Sequence, residues 1–325
     1  MIPSIFHTRR PLILPLAAIS LFTACNHKEL DDLPQPDFRV RVKFNWHHAP
    51  DADPSLMQVF FYNRSTGNMQ YDVLPSVEGG YVDLEEGDWQ VTTYNLEDVT
   101  NIIGENSGSF ANHHLTTRAG NILEGALGNS QPPTLGEDQR VLVTPDMVWG
   151  EAREGISIHP EPGQREVVVT LEPEELVCHY SFEILHVENL SNITNMCAAL
   201  TGMSGGMTFS TSLLDLESVT LPLTASPDGP STIKGEFYTF GFNPENRDPK
   251  MMNLYVWLDD GRKLVYGTTE DAQEKWNVSD QIRNAVNPKR VHYIIDGLSI
   301  PATMDGGMFN PSTDDWTTKD YEIGI

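Results

Sequence analysis

Cysteine is nearly missing. The chain of 325 residues has three, Cys25, Cys178 and Cys197. Three thiols cannot build the dense disulfide framework of a small secreted domain, and no C-x-x-C or H-x-x-x-H spacing offers a metal site. Cys178 and Cys197 are expected as buried free thiols. Positive charge is also scarce: 21 Lys and Arg stand against 46 Asp and Glu, for a formal net charge of -25. Such a chain is repelled by nucleic acid and by anionic headgroups, so neither is expected as a partner. Long apolar runs are lacking too. The stretch from Pro11 to Ala24 covers 14 residues, short of the roughly 20 that a membrane-crossing helix needs. No short-period repeat is found. Hydrophobic residues still make up 39%, enough for packed cores, so disorder is not expected.

That apolar run has a definite layout. Arg9 and Arg10 precede it, the small residues Thr23 and Ala24 close it, and Cys25 follows at once. A positive region, a short apolar core and small residues describe an export leader. The stretch "FTAC" resembles a bacterial lipobox, with Leu21 one place early and Phe22 in its slot. The resemblance implies cleavage before Cys25 and acylation of its sulfur and amine, which exceeds the two-signal requirement for stable anchoring. Residues 1–24 are therefore expected as a lipoprotein signal peptide, and residues 25–36, acidic with two prolines, as a tether. Losing Arg9 and Arg10 takes the charge from -25 to -27 and leaves 301 residues, about two domains' worth.

The folded part reads as strands. In "DFRVRVKFNW" (37–46) Phe38, Val40, Val42, Phe44 and Trp46 share one face, and Arg39, Arg41, Lys43 and Asn45 the other. That period of two marks a half-buried strand. Residues 56–74 read as a hairpin around "NRSTG", and 79–95 as a second that turns at Glu86-Gly87-Asp88. Residues 101–140 are weakly patterned and read as long loops. After "EPEE" (172–175) a new alternation begins, with Leu176, Cys178, Tyr180, Phe182 and Ile184 inward and Val177 outward. "NITNMCAALTG" (192–202) reads as a short helix stopped at Gly202, and 278–288 as another capped by Ser279. Strand-like runs lie at 207–214, 217–223, 232–242, 252–258, 262–267 and 290–301. The chain closes with Tyr321, Ile323 and Ile325 on one face. The expected fold is all-β, with β-sandwich halves at 37–172 and 173–325 and a few short helices.

Candidate chemistry is thin. "GMSGG" (202–206) matches a nucleophile elbow in letters, but the motif needs a strand before the serine and a helix after it. The pairs His47-His48 and His113-His114 are adjacent, and neighbours on an extended strand point to opposite faces, so neither pair chelates by itself. No catalytic residue, metal or cofactor is expected. A surface glycan-binding lipoprotein stays open as an alternative function. It would need an exposed aromatic platform, for which Trp149, Trp257, Trp276 and Trp316 are the candidates.

Several stretches carry a family resemblance: "WNVSDQIRNAVNPKRVHYIIDGLSIP" (276–301), "GGMFNPSTDDW" (306–316), "CAALTGMSGGMTF" (197–209), "GEFYTFGF" (235–242) and "EGDWQVTTYN" (86–95). Together they resemble Bacteroidetes fimbrillin-like lipoproteins, similar to type V pilus components. The resemblance implies two tandem transthyretin-like β-sandwich domains, no active site, and other fimbrial subunits as partners. It also implies an outer-membrane, surface-exposed location, to which the acidic "NHKELDD" after Cys25 is suited. Host or bacterial surface ligands would be further partners. In polymerising members a protease cuts after Arg or Lys and frees the first strand's groove for a neighbour's terminal strand. The donor and acceptor positions carried over here are Phe38, Val40, Val42 and Phe44 with Tyr321, Ile323 and Ile325, and the possible cut positions are Arg39, Arg41, Lys43 and Arg64. Because three of those cut positions lie inside the first strand, an uncut anchor, accessory or adhesin subunit is expected rather than a stalk pilin.

Cys25→Ala is expected to move the protein from the outer-membrane fraction to the soluble fraction in detergent-free buffer. Continued sedimentation of the variant with membranes would rule out the lipid anchor.

Overall fold

The alternation at 37–46 becomes the strand Arg39–Phe44 in a computed structural model that describes residues 38–97, 99–123, 140–268, 273–302 and 317–318. Cys25, the tether, Tyr321, Ile323 and Ile325 lie outside the described residues. The chain is all-β; among the described residues, short helices lie at Gln273–Trp276 and Ser279–Arg283 and 3-10 turns at Phe110–Asn112 and Leu190–Asn192.

Strand Arg39–Phe44 is the middle of a three-stranded sheet. Gly80–Val82 pairs with it antiparallel, and Glu166–Leu171 pairs with it parallel. Facing this sheet is a five-stranded one, in the order Glu174–Glu175, Trp149–Ile158, Gly87–Asn95, Leu56–Asn63, Met69–Pro75. Val40, Val42, Val82, Val169 and Leu171 from the first layer meet Phe61, Trp89, Val91 and Ile156 from the second in one core.

Farther along the chain the arrangement recurs. One sheet runs Ser226–Pro227, Ile233–Thr239, Cys178–Glu188, Arg290–Ser299, and the other runs Ser218–Thr224, Ile193–Ser204, Met252–Leu258, Lys263–Tyr266, Thr317–Thr318. Tyr180, Phe182, Ile184, Tyr293, Leu254 and Val256 pack between them. Again the first strand, Cys178–Glu188, lies parallel to the last long one, Arg290–Ser299.

A fifth sheet joins the two regions. Its order is Leu213–Leu214, Gly206–Thr208, His114–Thr117, Ile102–Glu105. Leu115 and Met207 from it pack with Phe60, Tyr62, Tyr94, Val177 and Phe240. Residues Phe38–Ile325 make up one compact unit, and Glu174–Glu175 extends the earlier five-stranded sheet by pairing with Trp149–Gly150.

Several local expectations change. Residues 192–202 are not a helix: Ile193–Ser204 is an inner strand, paired with Ser218–Thr224 and Met252–Leu258. Ala198, Leu200 and Met203 face one core, and Cys197 and Ala199 face another. A strand covered on both faces has no polar side, so its period of two disappears and the apolar run mimics a helix. Gly202, read as a helix stop, has φ +74 and sits at a break in register between Leu200 and Met203, as a bulge requires.

The hairpin at 56–74 forms, with Leu56–Asn63 paired to Met69–Pro75. The one at 79–95 does not, because its arms Gly80–Val82 and Gly87–Asn95 join opposite layers. Alternation assigns a strand but not its partner. The stretch 101–140 holds two strands of the joining sheet, Ile102–Glu105 and His114–Thr117, where loops were expected. Val177 is buried rather than outward, because the joining cluster covers that face, and Cys178 is only partly buried. Ser279 does not cap its helix. Its Oγ accepts the Lys250 backbone N–H at 2.8 Å instead.

Gly79 is the glycine on which the first strand depends. It has φ +64, and a Cβ there would run into the Val42 carbonyl. Gly79→Ala combines left-handed backbone strain of about 1–2 kcal/mol with displacement of strand Arg39–Phe44. Gly67 has φ +74 in open space, so Gly67→Ala carries the strain alone. Urea unfolding should show the larger loss for Gly79→Ala. Equal losses would mean that the strand does not depend on that close approach.

Candidate functional site

The sequence directs attention to the first strand, and the structure places it in the middle of a sheet, over an apolar core. Val40 and Val42 are 1% and 0% exposed, and Phe38 and Phe44 pack partly buried against the same core. Burying a valine fully is worth roughly 1.5–3 kcal/mol, so these two hold the strand by several kcal/mol. The main chain is paired on both sides from Val40 to Val42. Removing this strand would expose the edges of two strands and the apolar floor between them.

The expected cut positions differ in their surroundings. Arg39 and Arg41 place their guanidinium groups over the Tyr81 ring, each 5.8 Å from its centroid. The Tyr81 hydroxyl donates to Glu166 Oε2 at 2.7 Å, and that bond raises the phenol's pKa. The cations, the ring and the carboxylate thus tie all three strands together on the solvent side. Lys43 is exposed. Arg64 is exposed in the hairpin loop, which Asn63 Oδ1 closes by accepting the Ser65 and Thr66 backbone N–H groups at 2.9 Å each. Sequence reasoning missed Tyr81 and Glu166. The signal available was the pair Gly79-Gly80 just before "YV", the mark of a chain that must come close to another backbone.

The joining sheet contains a polar centre that the sequence did not suggest. His113 is fully buried, with Nδ1 2.8 Å from Thr92 Oγ1 and 3.1 Å from the Tyr62 hydroxyl. That hydroxyl donates to the Ser107 carbonyl at 2.8 Å. His113 Nε2 is buried without a partner, so a second proton on the ring would go unmet. Burial, with help from the charge of His114, lowers His113 to about 4. Next to it His114 has the opposite surroundings. Its Nε2 is 2.8 Å from Asp215 and its Nδ1 3.4 Å from Glu105, and the bond to Asp215 raises its pKa. His113 lies in extended backbone just before the strand His114–Thr117, and adjacent residues of an extended chain face opposite ways, which explains the contrast.

The nucleophile candidates are occupied or masked. Ser204 is buried, its Oγ donates to the Asp215 carbonyl at 2.9 Å, and a strand, not a helix, follows it. Cys178 and Cys197 are free, and burial pushes their thiols up to about 11 and about 12, far from the thiolate form. Trp149 and Trp257 are half-buried and Trp276 is buried, so these three do not form an exposed platform; Trp316 lies outside the described residues. His47 and His48 lie in a turn after the first strand. Their rings are 3.6 Å apart rather than on opposite faces as expected.

A family model described as a domain of unknown function, DUF5119, matches residues 24–224. A Bacteroides ovatus protein provisionally named a fimbrium anchoring subunit, Fim4B, is 22% identical over 200 residues, which cover 61% of this chain and 55% of its own. The chain thus spans about half the length of that curated relative. The crystal structure of another Bacteroides ovatus protein, provisionally classed as an adhesin, aligns with a TM-score of 0.58 at 17% identity. The alignment covers 83% of this chain and 95% of that one, and it bears on the fold alone. The fimbrial anchor protein Mfa2 from Porphyromonas gingivalis aligns at a TM-score of 0.44 and 12% identity, over 79% of this chain and 90% of that one.

His113 makes stability depend on acidity. An unfolded histidine takes up its proton near pH 6.5, whereas the folded one waits until about 4. Between those values the unfolded state binds more protons, so this residue lowers stability as pH falls, by up to about 1.4 kcal/mol per pH unit. His113→Gln should be less stable than the natural protein at pH 7, with the gap narrowing towards pH 5 in urea titrations. A gap that stays constant with pH would refute this account.

Proposed function

Given that the chain belongs to the DUF5119 family, we propose that it is a non-enzymatic subunit of a fimbrium, of the anchor, accessory or adhesin kind. It sits on the cell surface, tethered to the outer membrane through acylated Cys25, and joins neighbouring subunits by β-strand complementation. The observation that carries this reading is the placement of strand Arg39–Phe44. It is the middle strand of a three-stranded sheet, over an apolar floor. Such a groove suits a strand of this chain or of a neighbour, with main-chain bonds for affinity and alternate side chains for register.

The same placement favours a subunit that keeps its first strand. A protease needs an extended, accessible segment, and Arg39 and Arg41 are held by pairing and by Tyr81. Two tandem domains, 37–172 and 173–325, are part of the proposal, as is a terminal segment in which Tyr321, Ile323 and Ile325 donate to a groove. The relative named for fimbrium anchoring supports the anchor role. The glycan-binding alternative has less support, since none of Trp149, Trp257 and Trp276 is exposed.

Loss of the gene should release fimbriae from cells into the medium. The natural protein should restore attachment, and Cys25→Ala should not. Mass spectrometry of the surface protein should find the segment 38–44 still attached. Cells that keep attached fimbriae without the protein would refute the anchor reading, and a mature N-terminus just after Arg39, Arg41, Lys43 or Arg64 would reassign the protein to the stalk.

A further inference from the structure

We propose that His47, His48 and Glu172 form a binding site for a divalent transition-metal cation of the zinc class. The topology creates the site. Strands Arg39–Phe44 and Glu166–Leu171 run parallel, with Phe44 opposite Leu171. The residues just after each strand therefore emerge side by side, although they are distant in sequence. One donor atom from each of the three side chains lies within 4.8 Å of the others.

The turn that presents the histidines is pinned at several points. The Asn45 backbone N–H donates to the Leu171 carbonyl at 2.7 Å, and the Ala49 N–H to the Trp46 carbonyl at 3.0 Å. Trp46 Nε1 donates to the Ser76 carbonyl at 3.0 Å, and Ala49 is buried. Glu172 is anchored as well. Its carboxylate accepts from Asn45 Nδ2 at 3.3 Å, and its backbone N–H donates to Glu151. The carboxylate is thus oriented by a neighbour, as metal-binding carboxylates are.

The histidines themselves are exposed, with ring centroids 3.6 Å apart and planes at 44°. Two imidazoles that close can each offer a ring nitrogen to one shared cation. Around tetrahedral zinc the donor atoms stand roughly 3.3–3.6 Å apart, given bonds of about 2.0–2.2 Å. Small rotations of two surface side chains close the difference. Two nitrogens and one carboxylate suit zinc, copper or nickel, whereas calcium and magnesium prefer oxygen donors throughout. With three protein ligands the fourth position is left to solvent. The strong negative charge of the chain raises the local concentration of any cation. The bound cation would clip the end of the first strand to its parallel partner. The site does not depend on the proposed role in fimbriae.

The test uses the full chain in detergent, without a histidine tag. Titration calorimetry with zinc chloride should give one site lost in His47→Ala/His48→Ala and weakened at least tenfold in Glu172→Gln. A large excess of zinc over Kd should raise the melting temperature by several degrees, and equal magnesium or calcium should not. Cobalt(II) should give visible d–d bands that zinc abolishes. Because both histidines are exposed, the double variant should keep the metal-free melting temperature, which separates lost binding from lost folding. No zinc binding by the natural protein, or binding unchanged in both variants, would overturn the proposal. An equal response to calcium would overturn the assigned cation class.

Discussion

Parallel pairing between a first strand and a distant last strand is the contact on which both cores depend. Arg39–Phe44 lies on Glu166–Leu171, and Cys178–Glu188 lies on Arg290–Ser299. Each pairing closes a layer only after more than a hundred intervening residues have been arranged. The entropy of such closure rises slowly with length, so the loop is affordable once apolar burial exceeds it. Val40 and Val42 contribute that burial in one core and Tyr180, Phe182 and Ile184 in the other. The same geometry places the ends of paired strands together, which brings His47 and His48 beside Glu172.

The joining sheet makes these two cores one unit. It draws strands from before and after Pro173, and its interior mixes aromatic rings with a small polar network. His113 lies within 5.0–5.9 Å of the rings of Phe60, Tyr94 and Phe209, each edge-on. Aromatic pairs in such arrangements add to the energy of burial. The buried imidazole is held through Nδ1 by Thr92 and Tyr62, so this joint is polar as well as apolar. Its neighbour His114 faces acids, and the two histidines respond to acidity in opposite directions.

Legibility followed the number of covered faces. Strands with one wet face, such as Arg39–Phe44 and Arg290–Ser299, alternate in the sequence and are legible as strands. Ile193–Ser204 is covered on both faces, loses its alternation and was read as a helix. The strands Ile102–Glu105 and His114–Thr117 are four residues each, too short to show a period among the Gly, Asn and Ser around them, so their stretch reads as loop. Of the candidate site, the first strand and its basic residues were visible. Tyr81 and Glu166 were not, because they meet Arg39 and Arg41 only across strands.

The sequence alone determined the properties that local chemistry sets. These are the all-β class, the charge that repels nucleic acid, the absence of a bilayer-length apolar run, and the faces of the half-buried strands. Each depends on composition or on a period of two, which a single segment carries by itself. Tertiary structure decided which strands pair, that Gly80–Val82 and Gly87–Asn95 part to opposite layers, and that two adjacent histidines share a turn. Those outcomes rest on contacts between residues far apart in the chain. A strand's exposed main-chain groups can pair with any other strand, so the choice of partner is made by the burial and backbone fit of the whole.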